Sequence, residues 1–157
     1  LLPWLTAEAN IRAVREATTP AEARDLLGRV GLAGYENAYP HELSGGMQRR
    51  VALARAFSVN PRLLLLDEPF VSLDRHLVTE VQQVFLDLVR DTSATVVLVT
   101  HLPEDAARLA DRAILLTGQP ARIIADISLP GMRGTRSVAE ISRLIDQIAL
   151  PSSETAL

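Results

Sequence analysis

Residues 42–74 read ELSGGMQRRVALARAFSVNPRLLLLDEPFVSLD, and the run Leu63–Leu66 followed by Asp67 and Glu68 decides the fold. Four consecutive leucines leave no polar face, which is the pattern of a strand buried on both sides in a parallel sheet covered by helices. In open α/β sheets ligands gather at the carboxyl ends of the strands, so the two acids are expected at a rim where a metal and phosphates would sit. Asp67, closing the strand, can hold Mg²⁺ directly or through water, and Glu68 can take the proton of an attacking water. Pro69 donates no ladder hydrogen bond and turns the chain away at that point. A blander alternative keeps the buried strand and makes its terminal aspartate a cap for the next helix.

Upstream, Ser44, Gly45 and Gly46 directly precede a helical run containing Val51, Leu53, Ala54 and Ala56. Serine is a good N-cap, glycines let backbone amides approach an anion closely, and a helix start favours negative charge through its unpaired amides and dipole. Alone, such a turn is equally an ordinary cap. Downstream, residues 94–100, ATVVLVT, are rich in β-branched residues, read as a second buried strand, and end at His101. A histidine there can hydrogen-bond a γ-phosphate and the attacking water, or it can be structural. His41 and His76 have no such context.

In combination LSGG, LLLLDEP, SLD and VTH form a connected pattern. It resembles the signature-to-Walker-B segment and switch histidine of the ATP-binding cassette (ABC) ATPases, over nearly all of residues 1–129. The resemblance implies a partial P-loop NTPase fold of class α/β: a mainly parallel sheet flanked by helices, with an α-helical signature subdomain. It implies ATP and Mg²⁺ as cofactors. Ser44, Gly45, Gly46 and Asp74 would lie at the nucleotide, Asp67 at the metal, and Glu68 and His101 would be catalytic. It further implies a head-to-tail dimer with a second ATPase subunit, membrane permease subunits as partners, and a solute-binding protein met indirectly. Such a subunit sits peripherally on the cytoplasmic face of the inner membrane. Two positions depart from the family pattern. Met47 stands where glutamine is most frequent, with Gln48 one residue later, and Leu102 replaces a frequent acid; neither removes a group the chemistry requires.

Composition narrows the alternatives. At 157 residues the chain is one domain or part of one. Although 48 % of its residues are apolar, no run is long enough to span a membrane and no signal-peptide pattern opens it, so a soluble chain is expected. There is no cysteine, which excludes disulfides and thiolate metal sites. A formal net charge of −3 with no clustered basic stripe argues against nucleic acid as the main ligand. All 16 basic residues are arginine. A phosphate loop GxxxxGK[ST] needs a lysine to reach the β- and γ-phosphates, so this chain alone lacks the usual means of holding a nucleotide. The opening LLPWLT resembles the segment after the Q-loop glutamine of importer ATPases, most like the nitrate, sulfonate and taurine branch. The expectation is therefore the carboxyl-terminal part of a longer subunit, with the phosphate loop upstream.

Three regions are expected: a helical and signature part (1–60), the Walker-B to switch-histidine part (61–130), and a linker, helix and tail (131–157). Thr6 can cap a short helix to about Glu16, and Thr19, Pro20 and Glu22 make a capping box for a helix that stops at Gly31. Residues 32–43 are an irregular lead-in. Asp74 can cap a helix whose apolar face carries Leu77, Val81, Phe85 and Leu88. A short helix over 103–110 is followed by strands at 111–116 and 121–129, a hairpin expected on the edge of the sheet. Residues 131–136 read as a linker, and Ser137 with Glu140 makes a second capping box for a helix to Ile148. The functional reading is an ATP-hydrolysing importer subunit. Its rival, from a different class, is a cytosolic ABC protein without a transport role, working as an ATP-regulated binding or mechanical module.

Overall fold

The computed structural model describes residues 1–71, 75–92 and 94–149. The chain divides into two compact units, one ending at Val97 and the other starting at Leu98.

The first unit opens with α1 (Ala7–Arg12) and α2 (Pro20–Arg29). Thr6 caps α1, its hydroxyl accepting from Ala9 N at 3.2 Å. The next free amides of the helix, those of Ala7 and Glu8, donate to the carbonyls of Ala38 and Glu36 at 2.8 and 3.0 Å. This ties the lead-in loop onto the helix start. α1 stops at Arg12 rather than near Glu16. Arg12 Nε donates to the Thr18 carbonyl at 3.2 Å and Thr18 N to the Arg15 carbonyl at 3.0 Å. These bonds fold residues 13–18 into turns and leave Val14 exposed.

The α2 capping box forms as expected: Thr19 N donates to Glu22 Oε2 at 2.7 Å and Glu22 N to the Thr19 hydroxyl at 3.2 Å. The Thr19 amide and hydroxyl bonds hold the Glu22 carboxyl below its usual value. At the other end Gly31 has φ 70°, with Gly31 N on the Gly28 carbonyl and Leu32 N on the Leu27 carbonyl at 2.9 and 2.7 Å. This is a Schellman stop, and its apolar contact is supplied by the buried pair Leu27 and Leu32. A Cβ at Gly31 would take on the left-handed strain and come within 3.3 Å of Arg50 Nη1. Gly31→Ala is therefore expected to destabilise the protein by about 1–2 kcal/mol, read as a lowered urea midpoint with unchanged slope.

A single 3₁₀ turn, Pro40–Glu42, leads into α3 (Gly45–Phe57), β1 (Leu63–Asp67), α4 (Arg75–Arg90) and β2 (Thr95–Val99). β1 and β2 are hydrogen-bonded neighbours joined through α4. The Thr95 amide donates to the Arg62 carbonyl at 2.9 Å, joining the starts of the two strands, so they run parallel. Val81, Phe85, Leu88 and Val89 of α4 are buried, as are Val51, Ala54 and Phe57 of α3. These helices pack with α1 and α2 into the core of this unit.

The two-sided burial expected of Leu63–Leu66 is not observed. Leu64 is inside, but Leu63 and Leu65 are exposed, Leu65 by 68 %, and Val97 of β2 is exposed by 47 %. A run of leucines specifies a strand able to be covered twice, but burial of the second face requires a second layer.

The second unit holds α5 (Pro103–Leu109), β3 (Arg112–Thr117), β4 (Arg122–Ser128) and α6 (Val138–Ala149). β3 and β4 pair antiparallel from Arg112 opposite Ser128 to Thr117 opposite Arg122, with a bulge between Leu115 and Leu116. Among the described residues this hairpin forms a two-stranded sheet of its own, with no ladder to β1 or β2, where the sequence leads one to expect it on the edge of the sheet. Its inner face, Ala113, Ala125 and Ile127, packs with Ala107, Leu129, Ile141, Leu144 and Ile148. The second capping box forms: Ser137 N donates to Glu140 Oε2 at 2.6 Å and Glu140 N to Ser137 Oγ at 3.3 Å.

The segment expected to be a linker carries the main polar feature of this unit. Arg136 is 8 % exposed. Its Nε donates to the Pro130 carbonyl at 2.9 Å and its Nη1 to those of Ala107 and Ala110 at 2.7 and 2.9 Å. Its Nη2 donates to Leu129 and Gly131 at 2.7 and 3.1 Å. Five carbonyls thus match the five donors of a guanidinium. Two of them lie at the end of α5, where the helix dipole also favours a cation.

Candidate functional site: the signature turn, the acid turn and the histidine loop

Ser44 is the N-cap of α3, in extended conformation, its hydroxyl accepting from Met47 N at 3.3 Å. Gly45 and Gly46 are the first helical residues rather than a turn before the helix. Their amides have no acceptor among the described residues. The two glycines differ in purpose. A Cβ at Gly45 would meet nothing within 4 Å, whereas at Gly46 it would come within 3.1 Å of the Leu77 side chain. Gly45 therefore leaves an open approach to the helix start, and Gly46 lets α4 pack close. Gln48, on the next turn, donates from Nε2 to the carbonyls of Pro40 and Leu43 at 2.9 and 3.1 Å. It is committed to holding the lead-in against α3.

Asp67 ends β1 with an exposed side chain, and Glu68 follows in the left-handed region at φ 45°. A non-glycine residue held there costs on the order of 1–3 kcal/mol, and such residues concentrate where geometry matters more than local comfort. What enforces it is the turn that follows. Val71 N donates to the Glu68 carbonyl at 3.3 Å, and Phe70 is buried edge-on against Phe85, with ring centroids 6.2 Å apart. Arg49 Nη2 reaches the Val71 carbonyl at 3.5 Å, so α3 and the acid turn are packed together. Asp74, the last acid of the pattern, lies outside the described residues.

His101 belongs to the second unit, one residue past Thr100 and two before α5, with an exposed side chain. Thr100 Oγ1 donates to Asp105 Oδ2 at 2.9 Å and accepts from Leu102 N at 3.1 Å. The first unit therefore carries Ser44, Gly45, Gly46, Asp67 and Glu68, and the second carries His101.

Residues 1–71 match the family model described as ABC transporter. The chain is 40 % identical over 99 % of its length to the aliphatic sulfonates import ATP-binding protein of Bacillus licheniformis. The chain belongs to the ABC transporter family. It is also 40 % identical over 82 % of its length to the taurine import ATP-binding protein of Yersinia pestis. A sulfonates import ATP-binding protein of Xanthomonas axonopodis is 45 % identical over 78 % of the chain. Against these ABC relatives the chain spans only 62 %, 53 % and 52 % of their own lengths. Among solved structures, a metal-chelate-type ABC transporter in an inward-facing conformation matches 76 % of the chain at a TM-score of 0.66 and 26 % identity, with 51 % of that chain covered. The α/β arrangement is thus part of a P-loop NTPase fold of the ABC kind.

Within that fold the fit of a divalent cation can be tested on the donors. No group of three or more His, Cys, Asp or Glu able to hold a metal occurs among the described residues. One exposed carboxylate, Asp67, with a second acid beside it suits Mg²⁺, which takes one or two carboxylates and completes its shell with water and substrate phosphates. It does not suit an all-protein metal cage. The residues that sequence reasoning missed act by support. Besides Arg136, the fully buried Asn10 accepts from Leu2 N at 2.8 Å and donates to the carbonyls of Leu2, Leu5 and Thr6. It thereby pins the LLPWLT segment onto α1.

Proposed function

We propose that this chain is the signature-to-switch part of the ATP-hydrolysing subunit of an ABC importer, energising solute uptake through a membrane permease. The observation that carries this reading is the acid turn: an exposed Asp67 at a strand's carboxyl end followed by Glu68 in a left-handed conformation enforced by packing. The import proteins it resembles support the transport role. A carboxylate carried on a backbone held in the left-handed region, beside an acid suited to Mg²⁺, is what an enzyme needs to aim a base at a water.

ATP would lie between two subunits arranged head to tail, the open amides of Gly45 and Gly46 facing the γ-phosphate held by the other subunit's phosphate loop. The Ser44 hydroxyl keeps that helix start formed, and the dipole of α3 adds attraction for the anion. Mg²⁺, when bound beside Asp67, would neutralise phosphate charge as it develops. Glu68 takes the proton of the attacking water, His101 donates to the γ-phosphate and hydrogen-bonds that water, and Asp74 completes the nucleotide surroundings. No helix among the described residues is long and apolar enough to cross a membrane. In this reading the subunit sits peripherally on the cytoplasmic face of the membrane, with permease subunits as direct partners and a solute-binding protein as an indirect one, a role that the import ATP-binding proteins it resembles support. Residues 1–60 serve as the helical and signature part, 61–130 as the Walker-B to switch-histidine part, and 131–157 as a carboxyl-terminal part whose first residues are held by Arg136 rather than serving as a free linker.

The test is the partner surface. In the subunit that carries this segment together with a phosphate-loop half, copurification with a permease and crosslinks clustering on residues 7–43 are expected. ATP turnover without any permease association would favour the cytosolic, non-transport reading. Crosslinks concentrated on Val138–Ile148 instead would overturn the importer geometry.

A further inference from the structure

The loop that carries His101 is closed by a second hydrogen-bonding layer that the catalytic assignment does not use. Thr100 Oγ1 spans His101, accepting from Leu102 N at 3.1 Å while it donates to Asp105 Oδ2 at 2.9 Å. Asp105 is 4 % exposed, in the first turn of α5, and its own amide donates to the Leu102 carbonyl at 3.1 Å. The residues on either side of the histidine are therefore tied to each other and to the helix. A carboxylate in the first turn of a helix is favoured by the dipole, and a hydrogen bond to a charged acceptor is about twice as strong as a neutral one. Burying an acid at such a place is costly unless it is bonded.

We propose that Asp105, acting through the Thr100 hydroxyl, is the positioning residue for His101. It sets the backbone direction from which the imidazole reaches the γ-phosphate and the attacking water. This rests on the catalytic role proposed above for His101. Neither Asp105 nor Thr100 touches the reacting atoms; their effect passes through the histidine alone.

A double-mutant cycle on ATP turnover by the full subunit, paired with nucleotide affinity, tests this. Asp105→Ala and Thr100→Val are each expected to lower kcat about 10- to 100-fold with KM nearly unchanged, since misplacing a catalytic group by about 1 Å costs that much. Asp105→Asn and Thr100→Ser, which keep an acceptor and a hydroxyl, are expected to restore most of the rate. In a His101→Ala background the same substitutions should have no further effect. If Asp105→Ala and Thr100→Val lower kcat as much in that background as in the native one, or if KM and kcat fall together without rescue by the conservative variants, the positioning role is wrong and the contact is only structural. If His101→Ala alone turns over at the native rate, it is the catalytic reading of His101 that fails, and the proposal with it.

Discussion

Replacing Arg136 by methionine is expected to unfold the carboxyl-terminal unit or leave it marginal. At roughly 0.05–0.15 kcal/mol per residue, a unit of some fifty to sixty residues has about 3–8 kcal/mol to lose. A buried acceptor left unpaired costs about 1–3 kcal/mol. Methionine fills much of the volume but strands carbonyls at Ala107, Ala110, Leu129, Pro130 and Gly131, all of which accept from the guanidinium. Even with relaxation and water entry restoring some of them, a loss of at least about 3 kcal/mol follows. Lysine is the sharper variant. Burial pushes the guanidinium below its usual value, yet it remains ionised, so charge is conserved in Arg136→Lys. A three-donor ammonium on a flexible stem cannot span carbonyls on both α5 and the 129–131 turn, so lysine should rescue little. Amide hydrogen exchange over residues 103–110 and 122–131 reads the effect locally. Native protection in Arg136→Lys would show that charge near the end of α5, not the five-way geometry, holds this unit together.

That residue also marks where sequence reading ends. Signals confined to three or four residues were legible: the Thr19–Glu22 and Ser137–Glu140 boxes, the Ser44 cap and the Gly31 stop all depend on local hydrogen bonds with a residue signature. Arg136 in a glycine- and arginine-containing stretch looks like a linker because its partners at Ala107 and Ala110 are 29 and 26 positions away. Asn10 is hidden for a related reason: nothing in AEANIR marks its amide as buried under the LLPWLT turn. The exposure of Leu63 and Leu65 is not legible in the run, because an apolar run records what a strand can bury, not which layers cover it. At the candidate site the residue types of the acid turn were legible and the left-handed backbone of Glu68 was not, since it follows from Phe70 locking onto Phe85.

The largest effect on chemistry is expected at that same turn, in the subunit that joins this segment to its phosphate-loop half. Glu68→Gln keeps the size, the backbone conformation and a hydrogen-bonding end but removes the proton acceptor. Hydrolysis should fall by roughly 10²- to 10⁴-fold while ATP binding survives, and two such subunits should stay closed around trapped nucleotide. Ser44→Arg produces a different failure. It removes the hydroxyl that accepts from Met47 N and sets a bulky side chain beside Gly45, where there is now open space for a phosphate to approach. Closure should fail although each subunit's own phosphate loop still takes ATP. Pairing one Ser44→Arg subunit with one subunit dead in its phosphate loop places both defects in one composite site and leaves the other whole. One trapped nucleotide per dimer is then expected when Glu68→Gln is present in both subunits, counted after gel filtration, with dimerisation followed by light scattering. Turnover at the native rate in Glu68→Gln would mean that the acid held at φ 45° is not the base. Normal ATP-driven closure in Ser44→Arg would mean that the start of α3 does not face the second subunit's phosphate.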